Sequence, residues 1–109
     1  MKGIEFLGSS LDDLRAFPSS VMREAGYQLD RIQNGFLPND SKPMPSIGKA
    51  VTELRLWDEA GTFRVIYLAK LEQAVYVLHC FQKKTEKTTK KDIDLAVRRL
   101  KQLLKEIES

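Results

Sequence analysis

The sequence predicts an α+β fold in which helices pack on one face of an antiparallel sheet. Two observations predict it: apolar residues alternate at period two through the second half of the chain, and they recur at helical spacing near both ends. The predicted strands are Val51–Trp57, Thr62–Ala69 and Ala74–Gln82. Because only short turns separate them, neighbouring strands must run antiparallel. A chain of 109 residues, 42% of them hydrophobic, is enough for one core, so we expect one domain over 1–109.

The first half of the chain supplies one strand and two helices. Residues 2–7 alternate as a short strand, and a brief helix then starts at Ser10. Pro18 ends that helix, a second helix begins at Ser19 or Ser20, and Gly35 stands at its carboxyl end. The proline-rich stretch Phe36–Gly48 is predicted as a loop that is long for a compact domain, which favours a functional role.

A final helix completes the order β-α-α-β-β-β-α. Thr88 or Thr89 can cap it, with Asp92 three residues after Thr89. Its apolar stripe consists of Ile93, Ala96, Val97, Leu100, Leu103, Leu104 and Ile107. If all helices cover one face of the sheet, the other face is free to carry chemistry.

Composition limits the setting in which the chain works. The longest apolar run, near residues 65–69, is strand-sized and far too short to span a membrane. The first residues lack the apolar core of a signal peptide. Cys80 is the single cysteine, which rules out an internal disulfide and suits a reducing compartment. We therefore expect a cytoplasmic protein without membrane contact.

Familiar enzyme signatures are missing from the sequence. It contains no phosphate-binding G-x-x-x-x-G-K loop, no G-x-S-x-G elbow, and no clustered His and Cys ligands. His79 and Cys80 are adjacent on a strand and point to opposite faces, so they make a poor base and nucleophile pair. We expect no metal and no cofactor, with Cys80 in the core.

Positive charge is concentrated near the carboxyl end. Residues 79–109 hold nine Lys and Arg against five Asp and Glu, whereas residues 1–78 hold nine against ten. Five lysines fall within nine residues: Lys83, Lys84, Lys87, Lys90 and Lys91. A phosphate backbone or an acidic protein segment is the simplest partner for such a patch, and a solvated turn is the competing interpretation.

Basic residues within strands are the other candidates for chemistry. Arg55 lies between core-facing Leu54 and Leu56 and should point to the open face, as should Arg64 on the next strand. A salt bridge from Arg64 to Glu53 or Asp58 is the competing interpretation. His79 follows Val75 and Val77 at period two, so a partly buried histidine is as consistent with the sequence as a catalytic one. Trp57 and Tyr67 are interpreted as packing residues, although an aromatic on the sheet face could stack on a base.

Three segments resemble the RelE/ParE superfamily of toxins, and within it the phage-derived, HigB-like branch. They are Glu53–Leu56, Phe63–Tyr67 and Val75–Thr85. The most specific features are the aromatic-Arg-aliphatic-aliphatic-Tyr strand and the Leu-His-x-Phe-x-Lys-Lys-Thr ending. Similarity to that branch near both Phe6 and Tyr27 extends the resemblance over nearly the whole chain.

The resemblance implies roles for particular residues. Arg64 matches an arginine near the scissile phosphate, and Arg55 matches a basic position on the preceding strand. Lys84, or Lys83 with a shift of one, matches a basic residue at the end of the last strand. The chain departs from the RelE pattern at Glu53, where a basic residue is expected, and it lacks an equivalent of the substrate-stacking tyrosine near the carboxyl end. His79 is the alternative acid or base.

The resemblance also implies an activity and partners. The implied activity is ribosome-dependent cleavage of messenger RNA by the toxin of a type II toxin–antitoxin pair. Arg55, Arg64, His79 and Lys84 are its expected catalytic residues, and the RNA- or ribosome-binding residues are Lys83, Lys87, Lys90 and Lys91. The expected partners are the ribosome, messenger RNA and an antitoxin of the helix-turn-helix type. A ParE-like inhibitor of DNA gyrase and a catalytically silent RNA- or protein-binding module remain alternatives.

Overall fold

A computed structural model describes residues 1–108 and places a sheet between two layers of helix. In chain order the elements are β1 (Gly3–Phe6), α1 (Ser10–Arg15), α2 (Ser19–Gln33), β2 (Ser41–Pro43), β3 (Val51–Asp58), β4 (Gly61–Leu68), β5 (Ala74–Lys83) and α3 (Lys90–Glu108). Within this described part of the chain, no helix is long and apolar enough to cross a membrane.

The sheet has the order β1-β5-β4-β3-β2. Its centre is the predicted antiparallel meander of β3, β4 and β5. Two edge strands correct the prediction: β1 pairs with β5 in parallel, and β2 forms inside the segment predicted as a loop, antiparallel to β3. The parallel pairing of β1 was missed because β1 and β5 lie far apart in sequence and pair only after the helices bring them together. A three-residue strand containing Pro43 also carries almost no strand signal of its own.

The helices lie on both faces of the sheet, which corrects the expectation that they share one. Helices α1 and α2 pack on the face that carries Leu54, Val65 and Val77. Helix α3 instead packs, through residues that include Ala96 and Leu100, on the opposite face. The physical reason is that the central strands are apolar on both sides, and a sheet with two apolar faces needs a layer over each.

A β-bulge in β5 redirects the side chains of its second half. Tyr67 pairs with Val77, but the preceding residue of β4, Ile66, pairs with His79, so Leu78 is an extra residue. Val77 therefore packs with α1 and α2, whereas His79 lies on the α3 face. The period-two interpretation that grouped His79 with Val75 and Val77 is corrected by this bulge.

Local signals at the helix ends behave as predicted. Pro18 stands at the amino-terminal cap of α2, and Gly35, with a φ of 86°, follows its carboxyl end. At the start of α3, the Thr89 hydroxyl accepts a hydrogen bond from the Asp92 backbone N–H at 3.3 Å and donates to the Asp92 carboxylate at 2.7 Å. Thr89, rather than Thr88, therefore caps the helix.

The core under α1 and α2 should control the stability of the chain. Leu54 is 1% exposed, so Leu54→Ala should lower the free energy of unfolding by about 2–5 kcal/mol, from lost burial and the cavity left behind. The matched change Leu104→Ala, at a half-exposed position on α3, should stay within about 0.5 kcal/mol of the parent. Urea unfolding measures both. Equal losses would contradict this placement of the core.

Candidate functional site

The strand register arranges the α3 face of the sheet into cross-strand rows, because residues paired across strands share a face. The tip row is Trp57, Thr62 and Lys83; the arginine row is Arg55, Arg64 and Phe81; the inner row is Glu53, Ile66 and His79. Helix α3 and the turn before it contact the inner row, through Thr88 to Glu53 and Asp92 to His79. The expectation that this whole face is open is therefore corrected: α3 covers part of it, and the tip row lies farthest from the helix.

Arg64 lies in the middle of this face and is 8% exposed. Its Nε atom lies 3.2 Å from Glu53 Oε1, and its Nη1 donates to the Phe63 carbonyl at 3.0 Å. Glu53, itself 2% exposed, also accepts a hydrogen bond from the Thr88 hydroxyl at 2.6 Å. The salt bridge to Glu53 that the sequence left open is thus present. The ion pair lacks hydrogen-bond geometry at Nε, so the hydrogen bond from Nη1 orients the guanidinium, and Nη2 takes part in neither contact.

Arg55 lies directly opposite Arg64 on the neighbouring strand, as predicted for a shared face. Its Nε donates to Asp40 Oδ1 at 3.1 Å, and its backbone N–H donates to the Asp40 carbonyl. The Arg55 side chain remains 39% exposed. Two arginines at paired strand positions place like charges on one small area. Asp40 and Glu53 each offset one of these charges, and a phosphate above the pair would offset them further.

Lys83, and not Lys84, shares the face with the arginines. Lys83 is the last residue of β5 and pairs with Thr62, whose hydroxyl donates to the Lys83 carbonyl at 3.0 Å. Lys84 follows the strand and is exposed. Of the two lysines that the resemblance allowed, strand geometry therefore favours Lys83 as the partner of the arginines, with Lys84 at the surface.

The electrostatics of Lys83 reflect these neighbours. Desolvation lowers the pKa of Lys83, and the positive charges of Arg64, Lys42 and Arg55 lower it further. The negative charge of Glu53 opposes them. A lysine with a lowered pKa is a better proton donor and acceptor near neutral pH than an ordinary surface lysine.

His79 is held against α3. Its Nε2 lies 2.7 Å from Asp92 Oδ1, and its ring stacks on Phe81 with centroids 4.7 Å apart. Its Nδ1 is buried without a hydrogen-bond partner. The side chain is 6% exposed, so it is positioned to tie β5 to α3 rather than to meet a ligand over the tip row.

Cys80 points to the opposite face, as predicted, and packs in the core under α1 and α2. Burial raises the pKa of the Cys80 thiol to about 12, which removes it as a nucleophile. A cavity of about 770 Å³ runs along β5 between α1 and α3 and is lined by His79 and Cys80 among others, but by neither strand arginine. Among residues 1–108, no group of three His, Cys, Asp or Glu is arranged to hold a metal ion.

The remaining predicted lysines lie outside the arginine and tip rows. Lys87 lies in the turn after β5, and Lys90 and Lys91 form the first residues of α3. All three are exposed, as is Lys84, so they flank the site without entering it.

Lys42 was missed from the sequence, and Trp57 was interpreted as a packing residue with base stacking as the alternative. Trp57 is 64% exposed on the tip row, whereas Tyr67 is packed in the core as expected. Lys42 joins the inner row through β2, where it pairs with Glu53. The alternation that placed Arg55 on this face also places Trp57 there, so the sequence indicated the position of Trp57. No sequence pattern indicated that Lys42 pairs with Glu53.

Comparison with known proteins agrees with this architecture. The chain superposes on a solved structure of the E. coli toxin RelE, a double arginine-to-alanine mutant in its free state, with a TM-score of 0.63 at 13% identity. The match covers 94% of this chain and 97% of RelE. No curated protein matched the sequence significantly. At this identity the match shows the fold, which is RelE-like.

The family follows from a separate comparison. A model of the phage-derived Gp49-like proteins matches residues 12–101, which is most of the chain. The chain therefore belongs to the Gp49-like family. The resemblance to the RelE-like toxin superfamily is confirmed by family and fold together, while the HigB-like branch is not distinguished by either comparison.

Desolvation of Lys83, together with crowding by other cations, should cost stability at neutral pH. Because its pKa is lower in the folded chain than in the unfolded chain, the unfolded chain binds more protons between those two pKa values, and stability rises with pH there. Lys83→Gln should therefore raise the free energy of unfolding at pH 7, with a smaller gain at pH 10. Urea titrations at both pH values test this, with Lys84→Gln as the exposed control. A loss of stability in Lys83→Gln alone would contradict the electrostatic assignment.

Proposed function

We propose that this chain is a toxin that cleaves messenger RNA on the ribosome. The observation that carries the proposal is the convergence of Arg55, Arg64 and Lys83 at one end of a sheet face, with Arg64 paired with a buried carboxylate. Guanidinium groups held in place before the substrate arrives are suited to the negative charge of a phosphate in its transition state.

The chemistry expected at this site is phosphoryl transfer within the RNA strand, from the 5′-oxygen to the neighbouring 2′-oxygen. The 2′-hydroxyl attacks the adjacent phosphorus and loses its proton, and the bond to the 5′-oxygen breaks as that oxygen gains a proton. The products are a 2′,3′-cyclic phosphate and a 5′-hydroxyl. The reaction requires a proton acceptor, a proton donor and stabilisation of the charge on the phosphorane.

The geometry supports a division of these roles. Arg64 and Arg55 stabilise the phosphorane, because they occupy paired positions on neighbouring strands and a guanidinium group matches phosphate oxygens in a bidentate way. Lys83, with its lowered pKa, serves as the proton-transfer group in place of Lys84. His79, buried against Asp92, acts as a positioning residue that holds the start of α3 over the inner row. With a single histidine in the chain, a two-histidine mechanism within one subunit is excluded.

The surface lysines supply binding rather than chemistry in this proposal. Lys84, Lys87, Lys90 and Lys91 are exposed around the end of β5 and the start of α3, where they can contact ribosomal RNA by charge. Positioning of the message by the ribosome compensates for a site with few catalytic groups.

The proposal extends to partners and setting. Residues 1–109 act as one unit in the cytoplasm, where ribosomes are found, and an antitoxin of the helix-turn-helix type holds the toxin inactive. A ParE-like gyrase inhibitor and a silent binding module remain the competing functions for this fold. Induction in cells separates them, because the proposed activity stops translation first, a gyrase inhibitor stops DNA replication first, and a silent module stops neither.

Arg64 provides the test of the catalytic role. Arg64→Ala should lower the cleavage rate on programmed ribosomes by about a hundred- to a thousand-fold and abolish growth arrest, because the phosphorane loses a fixed cation. Arg23→Ala, at an exposed position on α2, should retain full activity.

Loss of fold is controlled in the same experiment. Arg64→Ala leaves the buried Glu53 carboxylate without its ion-pair partner, so the double variant Arg64→Ala/Glu53→Gln is measured beside it. Circular dichroism reports whether each variant is folded. A folded Arg64→Ala protein with full activity at matched expression would rule out the proposed role.

The lysines separate binding from chemistry. Replacing Lys87, Lys90 and Lys91 together by alanine should weaken ribosome binding and reduce the salt slope by about three units at most, and more toxin should restore cleavage. Lys83→Ala should instead lower the cleavage rate at saturating ribosome, by about a hundred-fold or more if Lys83 transfers the proton. Lys84→Ala is the neighbouring control. If Lys83→Ala shows only a binding defect, Lys83 belongs to the electrostatic surface.

A further inference from the structure

We propose that Trp57 is a stacking platform for a base of the RNA strand whose phosphate is held by Arg55 and Arg64. The inference rests on the proposed function and adds a binding site to it. Its starting observation is that the single tryptophan of the chain is 64% exposed at the end of β3. A large aromatic ring left in water is a feature that packing does not explain.

The register places Trp57 beside the cations. Trp57 lies on the face that carries Arg55, two residues farther along the same strand, a separation of about 6.8 Å. Across the sheet, its row continues through Thr62 to Lys83. A nucleotide whose phosphate lies at Arg55 can therefore place its base at Trp57. The next phosphate along the strand can then interact with the positive charge of Lys83.

A cleft adjoins Trp57 along the edge of β3, beyond the end of β2. Its volume is about 250 Å³, and Glu24, Gln28, Asn39 and Asp40 contribute to its wall. Gln28 is 1% exposed and is fixed by its hydrogen bonds to Glu24, at 2.6 Å, and to the Asn39 N–H, at 3.1 Å. The cleft is smaller than the usual small-molecule site, about 300–1,000 Å³, and its wall includes two carboxylates, so the base is assigned to the exposed ring of Trp57 and not to the cleft.

The cations in the rows next to Trp57 favour a nucleic acid over an apolar protein segment, although the carboxylates of Glu24 and Asp40 line the adjoining cleft. The cations that act on Lys83 are Arg64, Lys42 and Arg55, and Glu53 is the opposing anion. An exposed aromatic ring beside a cationic groove is the arrangement by which proteins bind single-stranded nucleic acids, because each base offers a face for stacking and each phosphate a charge.

Tryptophan fluorescence tests the stacking directly, because Trp57 is the single tryptophan of the sequence and excitation that spares tyrosine reports on it alone. The probe is a short 2′-O-methyl RNA, which binds without being cleaved because its 2′-oxygen cannot attack. An abasic strand of the same length is the control. We expect both strands to bind at low salt, measured by anisotropy of an end label, and only the strand with bases to quench the emission.

Substitutions test the same point during cleavage on programmed ribosomes. Trp57→Leu should lower the cleavage rate at limiting toxin by about ten- to a hundred-fold, and Trp57→Phe, which keeps an aromatic face, should restore most of it. Tyr27→Leu removes an aromatic ring that is 56% exposed on α2 and should have no effect. Because Trp57 is exposed, all variants should unfold at the urea concentration of the parent.

The outcomes distinguish this proposal from the function it rests on. RNA that binds without quenching, together with full cleavage by Trp57→Leu, overturns the stacking site and leaves the ribonuclease proposal standing. A parent chain that neither binds the strand nor cleaves on ribosomes overturns both. Normal cleavage by Trp57→Leu, with loss of a protein that co-purifies with the parent, would assign Trp57 to a protein interface and also overturn the proposal.

Discussion

The arrangement of this face depends on the contacts of one buried side chain, the carboxylate of Glu53. It pairs with Arg64 on the neighbouring strand and accepts a hydrogen bond from Thr88, just before α3. A single side chain thus connects the central sheet, the basic site and the start of the last helix. A charge buried to 2% exposure is tolerated only with partners of this kind, and removal of either partner would leave it uncompensated.

The same contact accounts for the departure of this chain from the RelE pattern. Where a second basic residue is expected, Glu53 lowers the repulsion within the set formed by Arg55, Arg64, Lys42 and Lys83. Three or more cations on one small face cost stability, and one buried anion reduces that cost. The face remains positive toward a phosphate, and its central guanidinium is preorganised rather than mobile.

Much of the fold was predictable from local patterns. The period-two segments identified β3, β4 and β5, and the short turns between them determined their antiparallel order. The placement of Arg55 and Arg64 on one face followed from alternation with Leu54 and Val65. The pairing of β1 with β5 was not predictable, because pairing across a long sequence separation leaves no local signal, and β2 was missed because its three residues include a proline.

The sequence by itself determined which residue types face each other on the regular strands, because side-chain direction there follows from alternation alone. Tertiary structure decided the rest of the site. The bulge at Leu78 places His79 on the α3 face, and β5 ends at Lys83, so Lys83 rather than Lys84 shares the face with the arginines. Helix α3 covers the inner row, whereas Trp57 stays exposed to solvent. Each of these outcomes depends on contacts between distant segments, so no window of the sequence contains the information that determines it.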